Sequence, residues 1–119
     1  MIESSVKSVY GDPSKVTPEL IDRYYDLTLR EGNRLALGER FAQHPIGQYG
    51  AEVVKITQPT LLIWGGRDQL ITPDNAQHFL KDIPGSRLVM FDDLGHVPQE
   101  EDPERSLVPV REFLQRARP

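Results

Sequence analysis

The chain has 119 residues, 14 basic and 18 acidic side chains for a net charge of -4, 38% hydrophobic content and no cysteine. A domain of this size buries only about two-thirds of the surface its unfolded chain exposes, and without cysteine it has no disulfide, thiolate zinc site or cysteine nucleophile. Apolar runs such as Leu61-Leu62-Ile63-Trp64 fall far short of the ~20 residues of a membrane helix, and Met1-Ile2-Glu3-Ser4-Ser5 lacks a signal-peptide layout. The expectation is a soluble, cytoplasmic chain. Residues 1–50 carry 6 basic and 7 acidic side chains and residues 51–119 carry 8 and 11, so neither part offers a basic face to a nucleic acid.

The first helix signal follows the turn-forming stretch Tyr10-Gly11-Asp12-Pro13. Thr17-Pro18-Glu19 supplies a hydroxyl N-cap, a proline whose missing N–H costs nothing at a helix start, and an acid that favours the helix dipole. This predicts a helix over 18–31, with Leu20, Tyr24 and Leu27 on one face and Ile21 and Tyr25 beside it. Gly32 is placed to end or bend it. A second helix is predicted over 33–43, carrying Leu35, Leu37 and Phe41, with Gly38 costing about 1 kcal/mol relative to alanine. His44-Pro45-Ile46-Gly47 closes it, and Val53-Val54-Lys55-Ile56 is the best candidate in 1–58 for a further strand, although its proximity to Pro59 argues for a short helix or connector instead.

From Pro59 the pattern changes. Thr60-Leu61-Leu62-Ile63-Trp64 followed by Gly65-Gly66 reads as a strand buried on both faces. Thr72-Pro73-Asp74 repeats the cap-proline-acid signal and opens a helix bearing Ala76, Phe79 and Leu80, which Pro84-Gly85 stops. Arg87-Leu88-Val89-Met90-Phe91 is a second buried-strand run, and Asp102-Pro103-Glu104 opens a last helix toward Phe113 and Leu114, with a kink or restart expected at Pro109. Strand, helix and strand make a βαβ unit of two parallel strands. Two such strands are not a whole sheet, because both outer edges would leave N–H and C=O groups unpaired.

Asp68 and His96 lie in the loops leaving the first and second strands. Open α/β sheets place ligands at that edge, and parallel neighbours are about 4.8 Å apart, so the two loops can bring a carboxylate to an imidazole. A carboxylate on Nδ1–H would fix the tautomer and leave Nε2 as a general base. Singly, Asp68 reads as a turn aspartate and His96 as a loop histidine satisfied by backbone; together they read as an acid–base pair.

The stretches from Gln58 to Pro73, with Trp64-Gly65-Gly66-Arg67-Asp68 at their centre, and from Leu94-Gly95-His96-Val97-Pro98 to Arg105 resemble the C-terminal third of α/β-hydrolase-fold enzymes. The resemblance implies that Asp68 is the triad acid and His96 the triad base, in the family's chain order. It also implies an incomplete α/β-hydrolase fold: a lid-like helical segment in 1–50, then the C-terminal part of the core in 51–119, with the βαβ unit and a C-terminal helix. The departure is the nucleophile elbow: none of Ser4, Ser5, Ser8, Ser14, Ser86 or Ser106 sits in Gly-x-Ser-x-Gly, and no glycine-rich oxyanion loop is visible. The chain alone is therefore expected to be inactive, and its length to reflect an incomplete enzyme.

Other residues carry blander readings. His78 reads as a surface or packing residue, and the spacing of His44, His78 and His96 forms no metal-ligand pattern; neither metal nor organic cofactor is implied. Asp92 and Asp93 are alternative acids, better explained by capping or solvation. Glu100, Glu101, Asp102 and Glu104 read as a solvated helix start. Tyr24 and Tyr25 resemble lid tyrosines that act on epoxides in some relatives but fit packing, and Trp64 reads as core. Leu70, Ile71 and Val97 flank the acid and base and are the candidate substrate-pocket residues. The expected partners are a small-molecule substrate in the intact enzyme, and either an N-terminal hydrolase half or a second copy of the chain on the exposed strand edge. A non-catalytic interaction module using that edge is the competing reading.

Overall fold

In the computed structural model, which describes residues 2–43, 47 and 50–116, the two apolar runs become a parallel pair. β1 (Leu61–Gly65) and β2 (Arg87–Phe91) align from Leu61 opposite Arg87 to Gly65 opposite Phe91. Asp74–Asp82 forms the connecting helix. Side chains alternate across a strand, and the neighbours follow that rule. Trp64 meets Phe79 of the connecting helix with ring centroids 6.1 Å apart, whereas Ile63 faces Pro103, Ser106 and Val110 of the C-terminal helix. The sheet is thus the middle of three layers.

In chain order the helices are α1 (Ile2–Ser8), α2 (Pro18–Leu29), α3 (Asn33–Gln43), α4 (Gly50–Val53), α5 (Asp74–Asp82), α6 (Pro98–Glu101) and α7 (Pro103–Arg116), with a 3-10 turn at Pro13–Lys15. Thr17 caps α2 as expected: its Oγ1 accepts from Leu20 N at 3.2 Å. Removing that acceptor in Thr17→Ala should cost about 1 kcal/mol, read as a lower urea midpoint with an unchanged slope. The α2 helix ends two residues earlier than the 18–31 predicted, at Leu29, and α1 has no counterpart in the sequence reading. The 33–43 helix forms through Gly38. Of the closing stretch His44-Pro45-Ile46-Gly47, residues 44–46 lie outside the described residues.

Two cap expectations differ in detail. The α5 helix starts at Asp74 with Pro73 in helical geometry and no side-chain cap. Thr72 contributes its backbone carbonyl, which accepts from Asn75 N at 3.0 Å. At α7 the signal worked, since Asp102 Oδ1 accepts from Arg105 N at 3.1 Å. The restart expected at Pro109 does not occur; α7 runs unbroken, with the Pro109 ring buried. One absent donor removes a single intrahelical bond, and burial of the ring offsets that loss.

The strands are less covered than their composition predicts. Every residue of β1 except Gly65 is only half-buried, and within the described residues the sheet has two strands. The chain exposes 8855 Å², whereas a compact monomer of its mass exposes roughly 6500 Å². Its radius of gyration is 16.4 Å, against about 13.5 Å for a compact domain of this length. Leu35 and Phe41 on α3 are 68% and 72% exposed. Among the described residues Val6, Tyr10 and Val16 form a buried cluster, joined by Leu20, Ile21, Tyr24 and Val97; Leu94 is fully buried beside the sheet end. Among the described residues no helix is long and apolar enough to cross a membrane.

Candidate active site

Gly65 ends β1, and the chain turns at once toward the end of β2. Gly66 N donates to Phe91 O at 2.7 Å, Arg67 N to Leu94 O at 2.9 Å and Asp68 N to Gly65 O at 3.2 Å. Three backbone bonds thus fix the loop before any side chain acts. Asp68 is buried, 6% exposed. Its Oδ1 accepts from Leu70 N and Ile71 N, each at 2.9 Å, and its Oδ2 lies 2.9 Å from His96 Nδ1. His96 is held from its backbone side as well, its N–H donating to Val9 O at 2.7 Å.

An ionised carboxylate only accepts hydrogen bonds. The neutral tautomer that fits this contact is the one with its proton on Nδ1, which leaves Nε2 with a lone pair. The His96 side chain is 30% exposed, enough to meet a reactant. The pair can take a proton from a hydroxyl or water at Nε2 while the buried carboxylate stabilises the imidazolium.

A pocket of about 100 Å³ opens here, lined by Ile63, Trp64, Gly65, Asp68, Ile71 and His96. Ligand pockets run to roughly 300–1,000 Å³, so this one is smaller than a typical ligand site. The Trp64 indole donates Nε1–H to Ile71 O at 3.0 Å, tying the wall to the loop that carries Asp68. Of the three candidate pocket residues, Ile71 lines this space, Leu70 is 64% exposed and supplies a backbone N–H to Asp68, and Val97 packs on the Val6–Tyr10–Val16 cluster.

The alternative acids face elsewhere. Asp93 forms a two-pronged ion pair with Arg105, whose guanidinium stacks 5.1 Å above the Phe91 ring. That pairing holds the Asp93 carboxyl far below the usual carboxylate range. Asp92 and His78 are exposed. Among the described residues no three His, Asp or Glu side chains converge on a metal position.

The acidic helix start contains what sequence reasoning missed. Glu101 is not solvated: its carboxylate is fully buried and accepts from three backbone amides, Gly11, Asp12 and Gly95, at 2.7 to 2.9 Å. Glu100 accepts from Tyr24 Oη at 2.7 Å and Tyr10 Oη at 3.3 Å. Tyr24 is thereby engaged in packing and hydrogen bonding, and Tyr25 is exposed. Only the position of Glu101 five residues after His96 marks it in the sequence, and two adjacent glutamates at a helix start give no sign of which one turns inward.

Burial, reinforced by the Glu100 charge, pushes the Tyr10 phenol up to about 12, from about 10 in an unfolded chain. A raised pKa means that the folded state resists deprotonation, so this contribution is complete below pH 10 and is lost as pH rises toward 12. An alkaline titration following tyrosinate absorbance and circular dichroism together should show Tyr10 ionising with loss of the fold, and Tyr10→Phe should weaken that coupling.

Comparison with known proteins bears on the family and the fold. A family model described as alpha/beta hydrolase fold matches residues 6–103. A 2-hydroxy-6-oxononadienedioate/2-hydroxy-6-oxononatrienedioate hydrolase of Pseudomonas putida is 33% identical over 107 residues, 87% of this chain and 37% of that protein. Lipase 1 of Psychrobacter immobilis is 44% identical over 43 residues, 36% of this chain and 14% of its own length. Among solved structures, a meta-cleavage product hydrolase of Pseudomonas fluorescens superposes with a TM-score of 0.81 at 22% identity, covering 98% of this chain and 45% of that one. The chain thus spans less than half the length of these relatives. A family model spanning most of the sequence, on a fold that superposes over nearly its whole length, establishes that the chain belongs to the α/β-hydrolase-fold family.

Proposed function

We propose that this chain supplies the acid, Asp68, and the general base, His96, of a nucleophile-histidine-acid triad that hydrolyses an ester-type bond. The observation that carries the reading is the 2.9 Å contact between His96 Nδ1 and an Asp68 carboxylate whose other oxygen is held by two backbone amides. Nε2 takes the proton of a hydroxyl nucleophile as its oxygen attacks the carbonyl carbon, and returns that proton to the leaving alcohol. Water, deprotonated by the same Nε2, then releases the acid and restores the nucleophile. The nucleophile must come from outside these 119 residues, because no serine here has the elbow surround. A serine there means esters or amides; an aspartate means epoxides or carbon–halogen bonds.

The test is reconstitution. The chain alone should hydrolyse an activated ester no faster than a buffer blank. Mixed with a nucleophile-bearing N-terminal segment from a relative, it should give turnover that His96→Ala abolishes. Turnover by the chain alone that depends on His96, or reconstituted turnover indifferent to His96→Ala, would overturn the proposal.

The open edge of β1 and the surplus of exposed surface favour one further reading, an interaction module that pairs its edge strand with a partner chain or itself. Size-exclusion chromatography with light scattering separates the cases, since a clean monomer with a cooperative melt sinks the pairing idea.

A further inference from the structure

We propose that Glu101 is a positioning residue for His96, acting through the backbone to lock the histidine loop to the segment that leads into the lid-like helices. This rests on the reading of His96 as the base. Glu101 ends the four-residue helix α6, with a side chain of zero exposure. Its Oε2 accepts from Gly95 N at 2.7 Å and Gly11 N at 2.9 Å, and its Oε1 from Asp12 N at 2.8 Å. The Lys15 ammonium stands 3.9 Å from Oε1. A buried carboxylate is tolerated only when it is hydrogen-bonded in this way.

The position of these bonds gives them their function. Gly95 immediately precedes His96, and the next amide, that of His96, donates to Val9 O at 2.7 Å. Consecutive amides of the histidine loop therefore both donate toward one segment, 9–12: Gly95 N–H to the Glu101 carboxylate that also accepts from Gly11 and Asp12, and His96 N–H directly to Val9 O. The two backbones are close enough that a Cβ on Gly11 would stand 2.7 Å from Gly95 N. No side chain fits between them, so the amides that face this contact have Glu101 as their acceptor. Removing the carboxylate strands the buried Gly95 N–H and the part-buried N–H groups of Gly11 and Asp12, and frees the loop whose backbone sets the His96 ring against Asp68. The hydrogen bonds of Glu101 go to Gly11, Asp12 and Gly95 and not to the imidazole or the Asp68 carboxylate; its influence passes through Gly95.

Proton NMR of the full chain tests this. The wild type should show a far-downfield His96 Nδ1 proton that disappears in Asp68→Ala. In Glu101→Gln one oxygen becomes an amide donor facing amide N–H groups. That resonance should then broaden away, and exchange protection of Gly11, Asp12, Gly95 and His96 amides should fall by about tenfold or more, while β1 and β2 amides keep theirs. A Glu101→Gln chain with the resonance and protection unchanged overturns the positioning role. A wild type with no Asp68-dependent resonance overturns the acid–base pair itself, which separates the two failures. If Glu101→Gln does not fold, wild-type exchange decides: strand-like protection of Gly95 and His96 supports the clamp, and free-loop exchange overturns it.

Discussion

Asp68→Asn is expected to lower kcat of the reconstituted hydrolase by about 10⁴ while leaving the fold in place. Oδ1 of Asp68 accepts from two backbone amides, Leu70 and Ile71. An asparagine of the same shape must keep its oxygen on those two donors, so its NH₂ group faces His96. Nδ1 then has to accept, the ring proton moves to Nε2, and the lone pair that would receive the nucleophile's proton is gone. The fold should survive because every backbone bond of the loop is retained, from Gly66 N on Phe91 O to Asp68 N on Gly65 O. The tautomer can be read in the 119-residue chain alone by ¹⁵N chemical shifts of His96, with the Nε2–H form expected in the variant and the Nδ1–H form in the wild type. Substrate binding in the reconstituted enzyme should change little, so the loss falls on kcat. An unchanged tautomer in the variant would remove Asp68 from the role of acid.

The largest stability effect is expected at Gly65→Ala. A Cβ at Gly65 would collide with the backbone carbonyls of Leu94 and Gly95, atoms of the loop that carries His96. Backbone on both sides cannot turn away as a flexible side chain could. The strand end and the loop must separate, which breaks the Gly66–Phe91 and Arg67–Leu94 bonds. A loss of about 4 kcal/mol or more is expected, in the range reserved for core disruption. Gly85 provides the internal control. It has a φ of +74°, and a Cβ there would meet nothing within 4 Å, so Gly85→Ala should cost only the left-handed backbone penalty of about 1–2 kcal/mol. Urea titrations of the two variants should show this difference in midpoint, and equal midpoints would refute the close-approach argument.

Much of the fold was legible locally. Thr17 before Pro18 and Asp102 before Pro103 announced helix starts, because a side-chain acceptor three residues ahead of a free amide is a local contact. The strand runs were readable to within a residue, β1 being displaced by one from the predicted 60–64. Thr72 carried the same signature as Thr17 and yet caps nothing with its hydroxyl, since Pro73 already adopts helical geometry. The α1 helix, Ile2–Ser8, went unread, and its one buried residue, Val6, sits in a cluster assembled from α1, the 10–16 turn and α2. The half-buried state of β1 was illegible from composition, because an apolar run records what a strand requires and not what covers it.

The sequence by itself determined the helix starts, the βαβ order and the two loops in which Asp68 and His96 stand, because each depends on contacts between residues a few positions apart. Which aspartate meets the histidine was a tertiary decision. Asp68 is 28 residues away and touches the ring at 2.9 Å, while the nearer Asp93 is drawn off to Arg105. The fate of Glu101 was decided there too: its partners at Gly11 and Asp12 are some ninety residues distant. The physical reason is common to both. A carboxylate reads alike on a surface and in a core, and only packing shows whether its acceptors are met by water or by the backbone of another segment.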